Sequence, residues 1–271
     1  SNLLDSLHWE KDIIKGMEQD EFIVYYQPQI SVDDETCIGA EALVRWNHKE
    51  KGFIPPNEFI PTAEESGLII KLGEIIIEKA VKQLRYWSDN FMNVVPISIN
   101  LSPLQFQQQN FIQFIDQILR KYNISPSMIS FEITETTALK DINQTIETIR
   151  ILNKMGIKVA LDDFGTGYSS LTYLKQLPIS HLKIDKSFIK DIHVDLREAS
   201  IVLNIITLAH DLSIKVIAEG VENIEQYVIL KDFACDEIQG FYFGRPMDAE
   251  SFVKYIKEEI PNKGRIIEQK H

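Results

Sequence analysis

The chain has 271 residues, of which 44% are hydrophobic and 25% charged, and its formal net charge is -12 at pH 7. These values are typical of a globular protein, and the length suits a single α/β barrel. An acidic chain lacks the basic face that binding to a nucleic acid backbone requires, so we expect no binding to bulk nucleic acid.

The two cysteines and the apolar runs indicate the compartment. Cys37 and Cys235 lie far apart without C-x-x-C spacing, which favours free thiols in a reducing compartment over a disulfide. No basic segment followed by an apolar run opens the chain, and no stretch reaches the length of a membrane span. We therefore expect a cytoplasmic chain without membrane contact of its own. The sequence leaves open a larger, membrane-anchored parent protein.

Periodicity divides the chain into a lead-in segment, one main domain and a tail. The predicted division is residues 1–20 as a lead-in helix or linker, 21–260 as a barrel domain and 261–271 as a polar tail. The barrel domain opens with two predicted strands, which begin at Phe22 and Cys37 and are joined by a short connection that favours an antiparallel hairpin.

The prolines after this hairpin, Pro55, Pro56 and Pro61, indicate an irregular loop before a long helix. From Ile97 onward, short apolar strands alternate with amphipathic helices, a pattern that gives a parallel sheet. Counting the hairpin, the predicted strands number eight. We predict an α/β fold, a (β/α)8 TIM-like barrel whose first strand runs antiparallel to the others. The alternative is a doubly wound open sheet, but its Gly-x-Gly-x-x-Gly motif is missing after the first strand.

Polar side chains recur where the predicted strands end, which is the face on which barrel enzymes form their active sites. They are Glu41, Asn100, Glu132, Asp162, Asp163, Lys183, Asp185, Glu219 and Gln239. Acids that converge on one cavity repel each other unless cations lie among them. Carboxylate and carboxamide oxygens favour Mg²⁺ or Mn²⁺, whereas zinc prefers His or Cys. We predict a site for two such ions, about 3.5–4 Å apart.

Three of these residues have competing interpretations. Asp162 and Asp163 follow a short buried strand and precede a glycine loop, which suits a metal site, but they also suit a turn that caps the next helix through Ser169 or Ser170. Lys183 could orient a water or neutralise developing charge, but it could also form a buried ion pair with Asp185.

Several motifs carry a family resemblance in addition. They are Glu41-Ala-Leu43 followed by Arg45, Asp162-Asp163-Phe-Gly-Thr-Gly-Tyr-Ser-Ser170, Leu182-Lys-Ile-Asp185, Ala218-Glu-Gly-Val-Glu222 and Gln239-Gly-Phe. In this order they resemble the EAL family, whose members are cyclic di-GMP phosphodiesterases of bacteria. The resemblance runs from about Phe22 to Pro246, nearly the whole chain.

The resemblance implies a role for each position. Glu41, Asn100, Glu132 and Asp162 would hold one metal ion, and Asp162 would bridge to a second ion held by Asp163 and Glu219. Lys183 would act in catalysis at the attacking water, together with the ligands Glu41, Asp162 and Glu219. Glu135 would steady the glycine loop, and Asp185 and Glu222 would support the ligands from behind. The residues implied to face the dinucleotide are Gln27, Leu43, Arg45, Asp163 and Gln239.

The implied reaction is hydrolysis of cyclic di-GMP to linear pGpG by a metal-activated water. The resemblance also implies a homodimer and, in the parent protein, upstream sensory or GGDEF domains. Three other functions stay open at this point: a receptor that binds the dinucleotide without cleaving it, an unrelated Mg²⁺ barrel enzyme with Lys183 as its base, and a dimerising regulatory domain. The intact set of implied ligands favours the phosphodiesterase.

Overall fold

The computed structural model describes residues 3–91, 94–165 and 171–259. The predicted polar tail lies outside these residues. The strands are β1 Phe22–Ser31, β2 Cys37–His48, β3 Gly52–Ile54, β4 Ile97–Asn100, β5 Ile129–Thr134, β6 Lys158–Phe164, β7 His181–Ile184, β8 Lys215–Glu219 and β9 Glu237–Gln239. Six of the helices are α1 Leu3–Glu18, α2 Pro56–Glu65, α3 Leu68–Asn90, α4 Pro103–Phe106, α5 Phe111–Tyr122 and α6 Glu135–Lys140. The other six are α7 Ile142–Met155, α8 Leu171–Leu174, α9 Lys186–Ile189, α10 Leu196–Asp211, α11 Ile224–Asp232 and α12 Ala249–Glu259.

Eight of the strands close into a barrel, as predicted. The pairs from β2–β4 through to β8–β9 are parallel. Strand β1 is antiparallel to both of its neighbours, β2 and β9, and closes the ring. The prediction of a reversed first strand is therefore confirmed. The alternative of an open sheet is wrong, because β1 pairs with β2 as well as with β9 and so closes the ring.

The prediction of an irregular loop after the hairpin is wrong. The structure forms β3, which extends the far end of β2, and then helix α2. Pro56 occupies the first turn of α2, where a missing N–H costs nothing. Pro61 lies inside the helix, a position that normally destabilises it. Burial of Phe59 and Ala63 from the same helix offsets this cost.

Apolar side chains form two cores. The larger core packs the helices around the barrel. A second core lies beside the β1–β2 hairpin, and its buried members are Ile13, Phe22, Trp46, Ile54, Phe59, Ala63, Ile69, Leu72 and Ile76. The lead-in helix α1 enters this second core through Ile13, which is fully buried. Helix α1 is therefore packed against the barrel along part of its length.

Two expectations about the chain's surroundings can be compared with the structure. Cys37 and Cys235 are both free thiols, as predicted. Within the described ranges, no helix combines the length and the apolar character that crossing a bilayer demands.

Candidate active site

The predicted polar residues meet at one end of the barrel, but at two depths. Asn100, Glu219 and Gln239 are the last residues of their strands, as predicted. Five others lie inside their strands, so their predicted placement at strand ends is wrong: Glu41, Glu132, Asp162, Asp163 and Lys183. They still reach the same site because barrel strands are staggered and inward side chains alternate. Asn100, for example, pairs in register with Glu132 although their strands differ in length.

Lys183 lies at the centre of the carboxylates and is completely buried. Its ammonium donates to Oε2 of Glu132 and lies 2.7 Å from Oε1 of Glu219. Glu41 Oε2 and Asp162 Oδ1 are 3.5 and 3.6 Å away. Burial alone would lower the pKa of Lys183, but the surrounding carboxylates outweigh it and raise the pKa well above its usual value. The lysine is therefore held as a cation. The alternative that it pairs with Asp185 is wrong, since Asp185 caps α9 by accepting from the N–H of Ser187.

Glu41 is held by side-chain amides from two other strands. Asn100 Nδ2 donates to Oε1 of Glu41 at 2.6 Å, and Gln239 Nε2 donates to Oε2 at 2.5 Å. Burial tends to raise the pKa of Glu41, but Lys183 and these two amides outweigh it and lower the pKa. Glu41 is therefore a fixed, ionised carboxylate whose orientation is set by its neighbours.

Asp162, Asp163 and Glu219 form a group that could hold a cation, because one oxygen of each lies within 4.8 Å of the others. Asp163 adopts a left-handed backbone with φ of 54°. This departure from strand geometry lets two adjacent residues serve one site, although neighbours in a regular strand face opposite sides. The N–H of Asp163 also donates to Oδ1 of Asp162 at 2.8 Å. Burial and the charge of Asp162 raise the pKa of Asp163.

Excess negative charge marks the deeper carboxylates. Burial and the charge of Glu41 raise the pKa of Glu132 to about 8. Burial raises the pKa of Glu219 to about 7, despite its contact with Lys183. Oε1 of Glu132 is buried and has no hydrogen-bond partner within the described residues. A buried carboxylate oxygen without a partner, among all-oxygen donors, fits a hard divalent cation such as Mg²⁺ or Mn²⁺.

A cleft of about 460 Å³ opens above these residues. Four of the five implied substrate residues, Gln27, Leu43, Arg45 and Gln239, line it together with Glu222, whereas Asp163 is not among the lining residues. Arg45 is half-buried, and within residues 3–91, 94–165 and 171–259 it has no ion pair. Its guanidinium lies 5.8 Å from the centre of the Tyr25 ring and donates to the carbonyl of Val44. An arginine held in this way is available to bind a phosphate.

The glycine loop is the segment after Asp163 that carries Gly165 and Gly167, and it lies partly outside the described residues. The description stops at Gly165 and resumes at Leu171. Ser169 and Ser170, the alternative helix caps, also lie outside the described residues. Glu135, implied to steady this loop, is buried and accepts a hydrogen bond from the hydroxyl of Tyr173, just beyond the loop. Gly165 has a φ of 95°, and a Cβ at this position would meet the ring of Phe188 at 2.9 Å. Glycine is required there.

Some cleft residues were not predicted. Lys186 and the half-exposed Phe241 line the cleft next to the predicted set. Gln29 is buried below it and donates to Oε1 of Gln239 at 3.2 Å, so it helps to orient Gln239. The spacing of Gln27 and Gln29 on one strand was the available signal, because residues two apart share a face.

Comparisons with known proteins agree with this geometry. The family model for the EAL domain matches residues 10–246. The chain is 43% identical over 253 residues to "Signaling protein YkoW" of Bacillus subtilis, covering 93% of this chain and 32% of that protein. It is 39% identical over 256 residues to "Bifunctional diguanylate cyclase/cyclic di-GMP phosphodiesterase MucR" of Pseudomonas aeruginosa, covering 94% of this chain and 37% of that protein. The chain thus spans about a third of the length of these relatives.

Solved structures are similar as well. The structure titled "PaMucR Phosphodiesterase, c-di-GMP complex" superposes with a TM-score of 0.86 at 39% identity and covers 90% of this chain and 99% of that one. The match of the family model extends over most of the barrel and includes every predicted site residue. The chain therefore belongs to the EAL domain family.

Proposed function

We propose that this chain hydrolyses one phosphodiester bond of cyclic di-GMP to give linear pGpG. The observation that carries the proposal is the placement of Lys183 and its carboxylates at the floor of the cleft that Arg45 lines. Relatives named as cyclic di-GMP phosphodiesterases support the substrate: PdeR of Escherichia coli is 37% identical, and RocR of Pseudomonas aeruginosa is 34% identical.

The residues proposed to hold two divalent ions, Mg²⁺ or Mn²⁺, are Glu41, Asn100, Glu132, Asp162, Asp163 and Glu219. When bound, such ions would polarise the phosphoryl oxygens and lower the pKa of a water near them. The all-oxygen donor set supports this assignment, as does Oε1 of Glu132, which has no hydrogen-bond partner among the residues that the structure describes. Asn100 and Gln239 fix Glu41 for this role through their hydrogen bonds.

Three side chains would act on the substrate itself. Arg45 would bind a phosphate, because its charge faces the cleft without a carboxylate partner among the described residues. Lys183 would hold the attacking water and stabilise the developing negative charge from below. Gln27, whose amide donates to the carbonyl of Gly244 at 3.0 Å, would form part of the wall against the dinucleotide. Water is the nucleophile, so no covalent enzyme intermediate is needed.

The raised pKa of Lys183 argues against the unrelated barrel enzyme in which this lysine abstracts a proton. A general base must be neutral before it acts, and the ammonium of Lys183 is held charged by Glu132, Glu219 and Glu41. In calorimetry, such an enzyme should also show no affinity for cyclic di-GMP.

A pair of variants tests the proposal. Chromatography of cyclic di-GMP incubated with the chain and Mg²⁺ or Mn²⁺ should show pGpG, and Glu41→Ala should abolish its formation. Glu237→Gln is the matched control, because Glu237 is another buried barrel glutamate but pairs with His181 outside the cleft. The rate of pGpG formation by Glu237→Gln should stay within about twofold of the wild type, as expected for a change away from the reacting groups.

Two outcomes would contradict the proposal. Turnover in Glu41→Ala would refute the ligand assignment. Binding of cyclic di-GMP without pGpG in the wild type would favour the receptor.

The quaternary state and the parent protein belong to the same proposal. We propose a homodimer in the cytoplasm, within a longer protein that has sensory or GGDEF domains upstream. The large share of each relative that the chain does not cover supports the longer protein, and the free thiols support a reducing compartment. We expect dimerisation to position the glycine loop and so to tune metal occupancy. Activity per subunit that stays constant on dilution into monomers would count against this coupling.

A further inference from the structure

The part of β2 that carries Leu43 and Arg45 lies beyond the main parallel ladder of the barrel. Pairing of β2 with β4 covers Ala40 to Ala42, and pairing with β3 begins only at Trp46. Between these ladders, β2 is paired along one edge with β1. The position of Arg45 therefore depends on what packs against this segment from behind.

Trp46 packs behind this segment of β2, on the side away from the cleft. Adjacent strand residues face opposite sides, so Arg45 faces the cleft and Trp46 faces the second core. Trp46 is completely buried. Its ring centre lies 4.8 Å from that of Phe22, and its indole N–H donates to Oε2 of the buried Glu21 at 2.9 Å. The indole therefore has a single well-defined position.

Helix α1 is in close contact with the indole of Trp46. Gly16 approaches so closely that a Cβ there would lie 2.9 Å from Nε1 of Trp46 and 3.0 Å from Cε2 of Phe22. Such distances leave no room for a methyl group without a shift of the indole. Ile13, three residues earlier, is fully buried in the same core. The contact between α1 and Trp46 is therefore rigid, and a displacement of α1 is transmitted to β2.

We propose that Trp46 is a positioning residue: clamped by Gly16 of α1, it fixes Arg45 in the cleft and so sets the affinity for the phosphate of the dinucleotide. This inference rests on the proposed function. Arg45 itself is held only loosely, by the carbonyl of Val44 and the face of the Tyr25 ring. Its geometry must therefore come from the strand, and the strand takes its position from Trp46.

Gly16→Ala is the direct test, since alanine favours the helix and leaves α1 folded while it pushes on the indole. The KM for cyclic di-GMP should rise about fivefold, with kcat within about twofold, as expected when a phosphate-binding group is misplaced but the reacting groups are not. Ile115→Val, a buried change on α5 in the other core, is the stability control, and its KM should equal that of the wild type. An unchanged KM in Gly16→Ala, or an equal rise in Ile115→Val, would overturn the inference.

Two double variants test whether the effect passes through the named residues. In an Arg45→Ala background, Gly16→Ala should raise KM no further. Trp46→Phe should itself raise KM, because the hydrogen bond to Glu21 is lost, and in this background Gly16→Ala should raise KM by less than in the wild type, because the smaller ring makes room for the methyl group. A full additional rise in either background would contradict the role of Trp46.

The design separates this inference from the proposed function. If the wild type binds cyclic di-GMP but releases no pGpG, the proposed function fails, and the same variants are compared by their calorimetric Kd. Weaker binding by Gly16→Ala, with Ile115→Val unchanged, would then still support the positioning role of Trp46. Equal affinities for the wild type and both variants would overturn it. Absence of any binding by the wild type would overturn both.

Discussion

The side-chain amide of Gln239 donates to Oε2 of Glu41 at 2.5 Å and so joins the last strand of the barrel to the second. The same amide nitrogen also donates to Oε1 of Gln27 at 3.0 Å. One glutamine thus orients a proposed metal ligand and a wall of the substrate cleft together. Removing it should affect both.

Gln239→Met keeps the length of the side chain but removes the donor. We expect the Kd for Mn²⁺ to rise about tenfold or more, as is usual when a partner of a ligating carboxylate is lost. Calorimetric titration with Mn²⁺ measures this directly. Gln29→Met is the comparison, because in the described part of the chain Gln29 reaches Glu41 through Gln239, and its effect should be smaller. An unchanged Kd in Gln239→Met would show that the contact does not orient Glu41.

Lys183→Met removes the buried ammonium with little change in volume. We expect kcat to fall about 10²–10³-fold, the usual cost of losing one group that stabilises developing charge. KM should change little, because Lys183 lies beneath the residues that line the cleft, whereas Arg45 lines it directly. Steady-state kinetics with saturating Mn²⁺ would measure both values. A loss confined to KM would place Lys183 in substrate binding instead.

The metal-free protein should lose stability as pH rises from about 5 to about 8.5. Glu132 and Glu219 have pKa values of about 8 and about 7 in the folded protein, above the ordinary value of 4.5. The folded state therefore binds more protons than the unfolded state in this window. Its extra stability is complete below the unfolded pKa and disappears as the folded pKa values are passed.

Thermal unfolding in EDTA across this window tests the effect, and Glu132→Gln should flatten the slope because it removes one of the two titrations. Addition of Mn²⁺ should restore most of the stability at the alkaline end, since bound metal favours the ionised carboxylates. A Tm that rises with pH in EDTA, or the same slope in Glu132→Gln, would contradict the charge balance described for the site.

Ca²⁺ should inhibit the reaction. It is larger than Mg²⁺ and takes more ligands at longer distances, so it would fit the carboxylate group poorly while still competing for it. Rates of pGpG formation with fixed Mg²⁺ and increasing Ca²⁺ would show the competition. Full activity with Ca²⁺ alone would overturn the proposed two-ion geometry.

Much of this architecture follows from local patterns in the sequence. The alternation of apolar strands and amphipathic helices predicted the barrel, and the hairpin connection predicted its reversed first strand. Asn100, Glu219 and Gln239 could be placed because they close their strands. Each of these features depends on residues close together in the chain.

The remaining features depend on contacts distant in sequence. Helix α2 was missed because its prolines indicate a loop, and only packing of Phe59 into the second core makes the helix stable. The depth of Glu132 and Lys183 follows from the stagger of the barrel, which no single strand reveals. The left-handed backbone of Asp163 likewise appears only in three dimensions.

The central claim is that the carboxylates around Lys183 bind divalent cations that hydrolysis of cyclic di-GMP requires. The most direct measurement is the rate of pGpG formation by EDTA-treated protein before and after addition of Mg²⁺ or Mn²⁺. We predict no product in EDTA and full recovery with either ion. Equal rates with and without the metal, or no pGpG at saturating metal, would contradict it.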